Sequence, residues 1–233
     1  MGLSGRDLLL AGATGLVGGL LLRRLLAEPG FDGTVFAPLR RDPGVADPRL
    51  VVLLSDFAPG SGDLRLAEAI EARSSRPLHA FASCLGTTIR AAGSREAFIA
   101  VDRDLVLRLA QLAWDHGARH ALLVSSIGAS RQTGNFYLRV KGEVEDALGR
   151  IGFARIDLVQ PGLLLGPRAQ RRPAERLLQM AAPLTNLLMQ GGLRRYRSIG
   201  AEEVAAAMLR LLGEDAPGVF THRWRELRAL AAR

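Results

Sequence analysis

A short apolar run, Leu8 to Ala11, leads straight into Gly12-Ala13-Thr14-Gly15-Leu16-Val17-Gly18, and a helical pattern begins at Leu16. Three glycines at that spacing, between a strand and a helix, leave few folds available to the chain. Glycine tolerates a tight turn and lets backbone approach a neighbour or a ligand. The first turn of the helix carries unpaired N–H groups and the positive end of the helix dipole, which together suit a phosphate. A glycine pattern alone is a weak signal. Here it opens the first strand–helix unit, where dinucleotide-binding folds place it. Gly12, Thr14, Gly15, Leu16, Val17 and Gly18 are therefore expected to cradle a pyrophosphate.

The rest of the chain repeats that alternation. Apolar runs predict strands over 8–11, 34–39, 50–54, 80–83, 121–125 and 154–159, with a last short strand at Val219-Phe220. Longer periodic segments predict helices over 16–26, 64–73, 96–116, 137–150 and 202–212. Strands alternating with helices imply an α/β fold: a Rossmann-type, doubly wound parallel sheet with helices on both faces. No linker interrupts the pattern, so residues 1–233 read as a single domain, with about 161–233 forming the substrate side.

The net charge of +8 raises the question of a nucleic-acid partner. The basic residues are scattered and mixed with acids, and aromatic residues make up only 5% of the chain, poor material for base stacking. No nucleic acid is expected. The uncharged stretch Leu177 to Leu193 is interrupted by Gln179, Pro183, Asn186, Gln190 and Gly191-Gly192, and a span needs about 20 mainly apolar residues. No membrane span is expected; the stretch reads as a buried or lid-like helix. Cys84 is the sole cysteine, which excludes an intrachain disulfide and indicates a reducing compartment. No secretory leader is visible, and the expected location is cytoplasmic, as a monomer or homodimer.

The second strand ends at Leu39-Arg40-Arg41, with no acid before Asp42. Dinucleotide folds that prefer NAD place an acid there for the ribose 2′-hydroxyl. Arg40 and Arg41 instead suit the 2′-phosphate of NADP. NADP(H) is therefore expected in preference to NAD(H). Asp56, after the third strand, is placed to accept from an adenine amino group, or is a surface turn acid. After the fourth strand, Cys84-Leu85-Gly86-Thr87 lies where ligands of such sheets bind. Cys84 itself reads as a small buried residue.

Of 31 basic residues only one, Lys141, is a lysine, and it follows Tyr137 by one helical turn. A phenol titrates near ~10, too high for efficient base work at neutral pH, and a nearby ammonium favours the phenolate. Ser125 and Ser126 end the fifth strand, and either could bind a carbonyl oxygen. A glycine turn, a serine and Tyr-x-x-x-Lys, in that order, point to hydride transfer with a nicotinamide carrying the hydride.

That ordered set resembles the short-chain dehydrogenase/reductases. The finer resemblance is to their atypical branch, the Tat-interacting-protein-like (NmrA-like, NAD(P)-binding) oxidoreductases. It rests on Gly12-Ala13-Thr14-Gly15, Cys84 to Thr88, Val101-Asp102-Arg103-Asp104, Ser125-Ser126, Phe136-Tyr137, Val140 to Glu145, Pro161-Gly162 and Arg172-Pro173. The resemblance implies NADP(H) binding and reductase roles for Tyr137 and Lys141. It implies that Leu85-Gly86 and the segment Pro161, Gly162, Leu163 and Leu164 line the nicotinamide side, and that Arg172 clamps an anionic group. The chain departs from many relatives in offering Asp102 where they use an asparagine.

The expected function is an NADP(H)-dependent oxidoreductase acting on a small carbonyl or alcohol that the sequence does not identify. The alternative is an NADPH-binding sensor working through a protein partner without turnover. Asp157 and His79 read as structural, and His116 with His120 as no metal site.

Overall fold

Seven strands form one parallel sheet in the order β3-β2-β1-β4-β5-β6-β9. They are β1 (Leu8–Ala11), β2 (Val35–Leu39), β3 (Leu50–Leu54), β4 (Ala80–Ser83), β5 (His120–Val124), β6 (Arg155–Val159) and β9 (Gly218–His222). This computed structural model describes residues 2–57, 60–166 and 197–232. Leu177 to Leu193 and Arg172 lie outside the described residues.

The central strands are mostly apolar because helices cover both faces of the sheet. β1, β2, β4 and β6 are buried at every position. On one face pack α1 (Leu16–Ala27), α7 (Ala201–Leu211) and Leu227 of α8 (Trp224–Ala231). On the other pack α2 (Ser61–Arg73), α5 (Val106–Asp115) and α6 (Phe136–Ile151). β3 is an edge strand and leaves Leu54 63% exposed. Pro38 is tolerated inside β2 because β1 pairs only with Val35 and Phe36, so the missing N–H costs no ladder bond on that side. The sheet order reverses between β1 and β4, so their carboxyl ends form the crevice where this fold binds ligands.

α6 has clear local causes. The Asn135 side chain accepts from Leu138 N–H at 3.1 Å and starts the helix, and Gly152 ends it in the left-handed region. The helix expected over 96–116 is divided. α4 (Arg95–Ile99) runs into a π-helical turn, Ala100–Leu105, before α5 begins. Such turns insert a residue into a helix and occur often at functional sites. Through this one, Phe98, Asp102, Leu105 and Val106 all stay buried. Among the described residues, four elements lie beyond the sequence expectation: α3 (Ile89–Ala92), capped by Thr88; the short pair β7 (Leu164–Leu165) and β8 (Ile199–Gly200); and the last helix, α8. The final strand also extends past Val219-Phe220 on both sides.

Candidate active site

The glycine turn is a close-packed piece of backbone. Gly12 has a φ of +81°, and a Cβ there would lie 2.7 Å from the Cys84 carbonyl carbon. Gly12 thus lets the first turn lie against the turn after β4, and Gly18 lets α1 lie against Gly12. The Gly15 N–H donates to the Gly12 carbonyl at 2.9 Å. α1 then begins with no side-chain cap and no acid in its first turn. Its leading N–H groups are left for an external anion, and Thr14, Gly15 and Leu16 reach the surface there while Val17 is buried. A dinucleotide pyrophosphate fits this cradle.

The turn after β4 carries the next part of the site. Burial pushes the Cys84 thiol up to about 12, so it is no thiolate nucleophile. Gly86 is exposed, yet a Cβ on it would come within 3.9 Å of both Lys141 Nζ and Asp102 Oδ1. These two groups form a buried ion pair of 2.8 Å, with side chains 4% and 0% exposed. Asp102 Oδ2 also accepts from the Thr87 N–H at 2.9 Å, and Lys141 Nζ donates to the Leu85 carbonyl at 3.5 Å. The lone lysine therefore sits just beneath the sheet's carboxyl edge, tied to the β4 turn and to the π-helical turn.

Tyr137 lies one turn earlier on α6, half-buried, with its ring 5.8 Å from that of Phe98. The loop after β5 approaches α6 at Gly142, where a Cβ would come 2.5 Å from Ser130 backbone. Ser130 N–H donates to the Leu138 carbonyl at 3.2 Å. This contact holds the serine loop beside the turn that bears Tyr137 and Lys141. The two serines differ. Ser125 is buried with its hydroxyl unpartnered among the described residues. Burial raises the Glu145 carboxyl, and Gln160, whose amide donates to it at 2.9 and 3.1 Å, opposes that rise. Ser126 is half-buried at the edge. The sequence reading missed Glu145 and Gln160. Glu145 lies one turn beyond Lys141 on the same helix face, which was the available signal.

Pro161 follows Gln160, and its carbonyl accepts from Ile127 N–H at 3.1 Å, bringing the start of the Pro161 to Leu164 segment beside the serine loop. Gly162, Leu163 and Leu164 are half-buried. Arg40 and Arg41 are both exposed beyond β2. Asp56 is exposed beyond β3, next to Phe57, which holds a positive φ of 63°.

A second buried cluster lies within the sheet. Asp157 on β6 accepts from Arg155 at 2.7 and 3.0 Å, and has His120 Nε2 and His222 Nε2 each at 2.7 Å. Burial raises this carboxyl, but the bonds to His120, His222 and Arg155 outweigh it and hold Asp157 well below the ordinary carboxylate range. Arg6 donates to His79 Nε2 at 2.6 Å. Burial, then the Arg6 charge, lowers His79 to about 4.

Among curated proteins, "Protein fmp52, mitochondrial" of Aspergillus clavatus is 33% identical over 218 residues, covering 92% of each chain. The chain belongs to this family of atypical short-chain dehydrogenase/reductases. The protein of the same name from Emericella nidulans is 34% identical over 90% of each chain. "Protein HTATIP2" of Rattus norvegicus is 47% identical over 94 residues, 40% of this chain. No family model matches the chain. The fold recurs in a short-chain dehydrogenase from Burkholderia cenocepacia solved with NADP, with a TM-score of 0.64 and 16% identity over all of this chain and 93% of that one. It recurs also in the Bordetella bronchiseptica enzyme WbmH solved with NAD+, at 0.68 and 13% identity over 94% of this chain and 75% of that one.

These relatives correct one expectation. The fungal family members are named mitochondrial, which overturns the cytoplasmic reading. That reading rested on the single cysteine and the lack of a secretory pattern, and neither feature separates one reducing compartment from another.

Proposed function

We propose that the chain is an NADP(H)-dependent oxidoreductase that interconverts a small carbonyl and its alcohol. The observation that carries this reading is the lone lysine, buried beneath the exposed Gly86 and one helical turn from Tyr137. The bound nicotinamide dinucleotide supplies or accepts the hydride. Gly12, Gly15 and the start of α1 hold its pyrophosphate, and Arg40 and Arg41 hold the 2′-phosphate. Lys141 holds the ribose. Tyr137 gives or takes the proton on the substrate oxygen. Ser125 or Ser126 orients that oxygen; Ser125 is buried and Ser126 half-buried at the edge.

The test is hydride transfer from NADPH to a panel of carbonyl compounds, wild type against Tyr137→Phe. The expected result is a loss of about 100-fold or more. Equal rates in the two proteins would reject the enzyme reading. One observation favours a second reading, an NADPH sensor without turnover: the Lys141 charge is already balanced by Asp102. Tight NADPH binding with no transfer across the panel would select it.

A further inference from the structure

Lysine and arginine are distributed unequally in this chain, and the site explains the inequality. An ammonium is a compact point donor with three N–H groups, while guanidinium is a planar fork that needs width. Lys141 Nζ is ion-paired with Asp102 Oδ1 at 2.8 Å and donates to the Leu85 carbonyl at 3.5 Å. The ammonium lies close under exposed Gly86, where a Cβ would come within 3.9 Å of Nζ. Asp102 is itself fully buried and held from its other oxygen by Thr87 N–H at 2.9 Å. The carboxylate therefore joins three elements: the π-helical turn that carries it, the turn after β4, and α6.

We propose that Asp102 is a positioning residue. It clamps the lone lysine against the β4 turn, so that the ammonium faces the dinucleotide. The proposal rests on the functional reading above for the identity of that ligand, but the clamp itself does not. A buried ammonium without its counter-ion is strongly unfavourable, so replacing Asp102 by a neutral isostere drives Lys141 towards solvent. Asp102→Asn keeps an acceptor for Thr87 N–H and removes only the charge. Asp102→Glu keeps the charge at a longer reach.

With one lysine in the chain, every measurement on a lysine ε-amine reports Lys141. The folded protein is treated with trinitrobenzenesulfonate, and the Lys141 peptide is followed by mass spectrometry apart from the N-terminal amine. The wild type is expected to react at least tenfold more slowly folded than in urea. Folded Asp102→Asn is expected to lose that protection and to bind NADPH about tenfold more weakly by fluorescence titration. Asp102→Glu is expected to recover part of both. Folded Asp102→Asn with wild-type protection and wild-type NADPH affinity would overturn the proposal. If Asp102→Asn does not fold, the Nζ resonance of 15N-lysine in wild type and Asp102→Glu decides. A signal displaced from the free-lysine position, and moved again in the variant, supports the clamp; one at the free-lysine position in both overturns it. Protection that depends on Asp102 in a protein that binds no NADPH supports the clamp and rejects the functional reading.

Discussion

Two buried carboxylates divide this molecule. Asp157 is surrounded: two nitrogens of Arg155, one of His120 and one of His222 crowd its two oxygens, and Arg155 is itself tied to the Ala216 carbonyl and stacked on Phe220 at 4.3 Å. Asp102 has one cation and one backbone N–H. A carboxylate ringed by four nitrogens fixes strands to one another. A pair beneath an exposed glycine is poised to bond with something outside the chain. Both lie in the interior, so burial alone does not distinguish a structural charge from a working one; the exposed Gly86 over the second pair does.

The comparison is broken most severely by Asp157→Ala. Two histidines and an arginine lose their shared acceptor, and Arg155 cannot shed its charge. The expected cost is about 3–5 kcal/mol in urea denaturation at neutral pH; a loss under about 1 kcal/mol would show that the cluster is not structural. Acid gives the next effect. His79 binds its proton less well folded, at about 4, than unfolded, near 6.5. Its neutral form therefore supports the fold fully above pH ~6.5, and that support is lost as pH falls towards 4, by on the order of 3 kcal/mol. Asp157, depressed in the folded state, adds its own loss only below its unfolded value near 3.8. Denaturation midpoints are expected to fall between pH 6.5 and 4 and again below it, and a flat profile to pH 4 would contradict the His79 account. The smallest effect sharpens the other side. A Cβ at Gly86 meets the ion pair only at ordinary contact distance, 3.9 Å. Gly86→Ala is expected to unfold within about 0.5 kcal/mol of wild type and to weaken NADPH binding several-fold; unchanged affinity would show that Gly86 is not the approach to Lys141.

Much of this was legible in the chain itself. The strands announced themselves as short apolar runs because helices bury both sheet faces, and the glycine turn fell where its backbone contacts require it. α6 was readable because Phe136 to Ile151 is amphipathic, capped by Asn135 and stopped by Gly152. The π-helical turn was not, since one inserted residue leaves the apolar spacing of 96–116 close to that of a regular helix. α8 was missed because it is only eight residues long, although Trp224, Leu227 and Leu230 recur at helical spacing. The pairing of Lys141 with Asp102, and of Asp157 with His120 and His222, depends on strands and helices distant in sequence. Sequence identified Lys141 and Asp102 as residues of interest, and only the fold joined them. The assignment of a compartment failed for a different reason, because no residue used for it was specific.

The most direct test of the site uses the double variant Asp102→Asn/Lys141→Met. Removing both charges together avoids leaving either one buried alone, so the fold is expected to persist with an unfolding midpoint near that of wild type. NADPH binding to the two proteins is then compared by equilibrium titration. A wild type that binds and a folded double variant at least tenfold weaker is the predicted result. A folded double variant with wild-type affinity would contradict the claim that the lone lysine faces the dinucleotide.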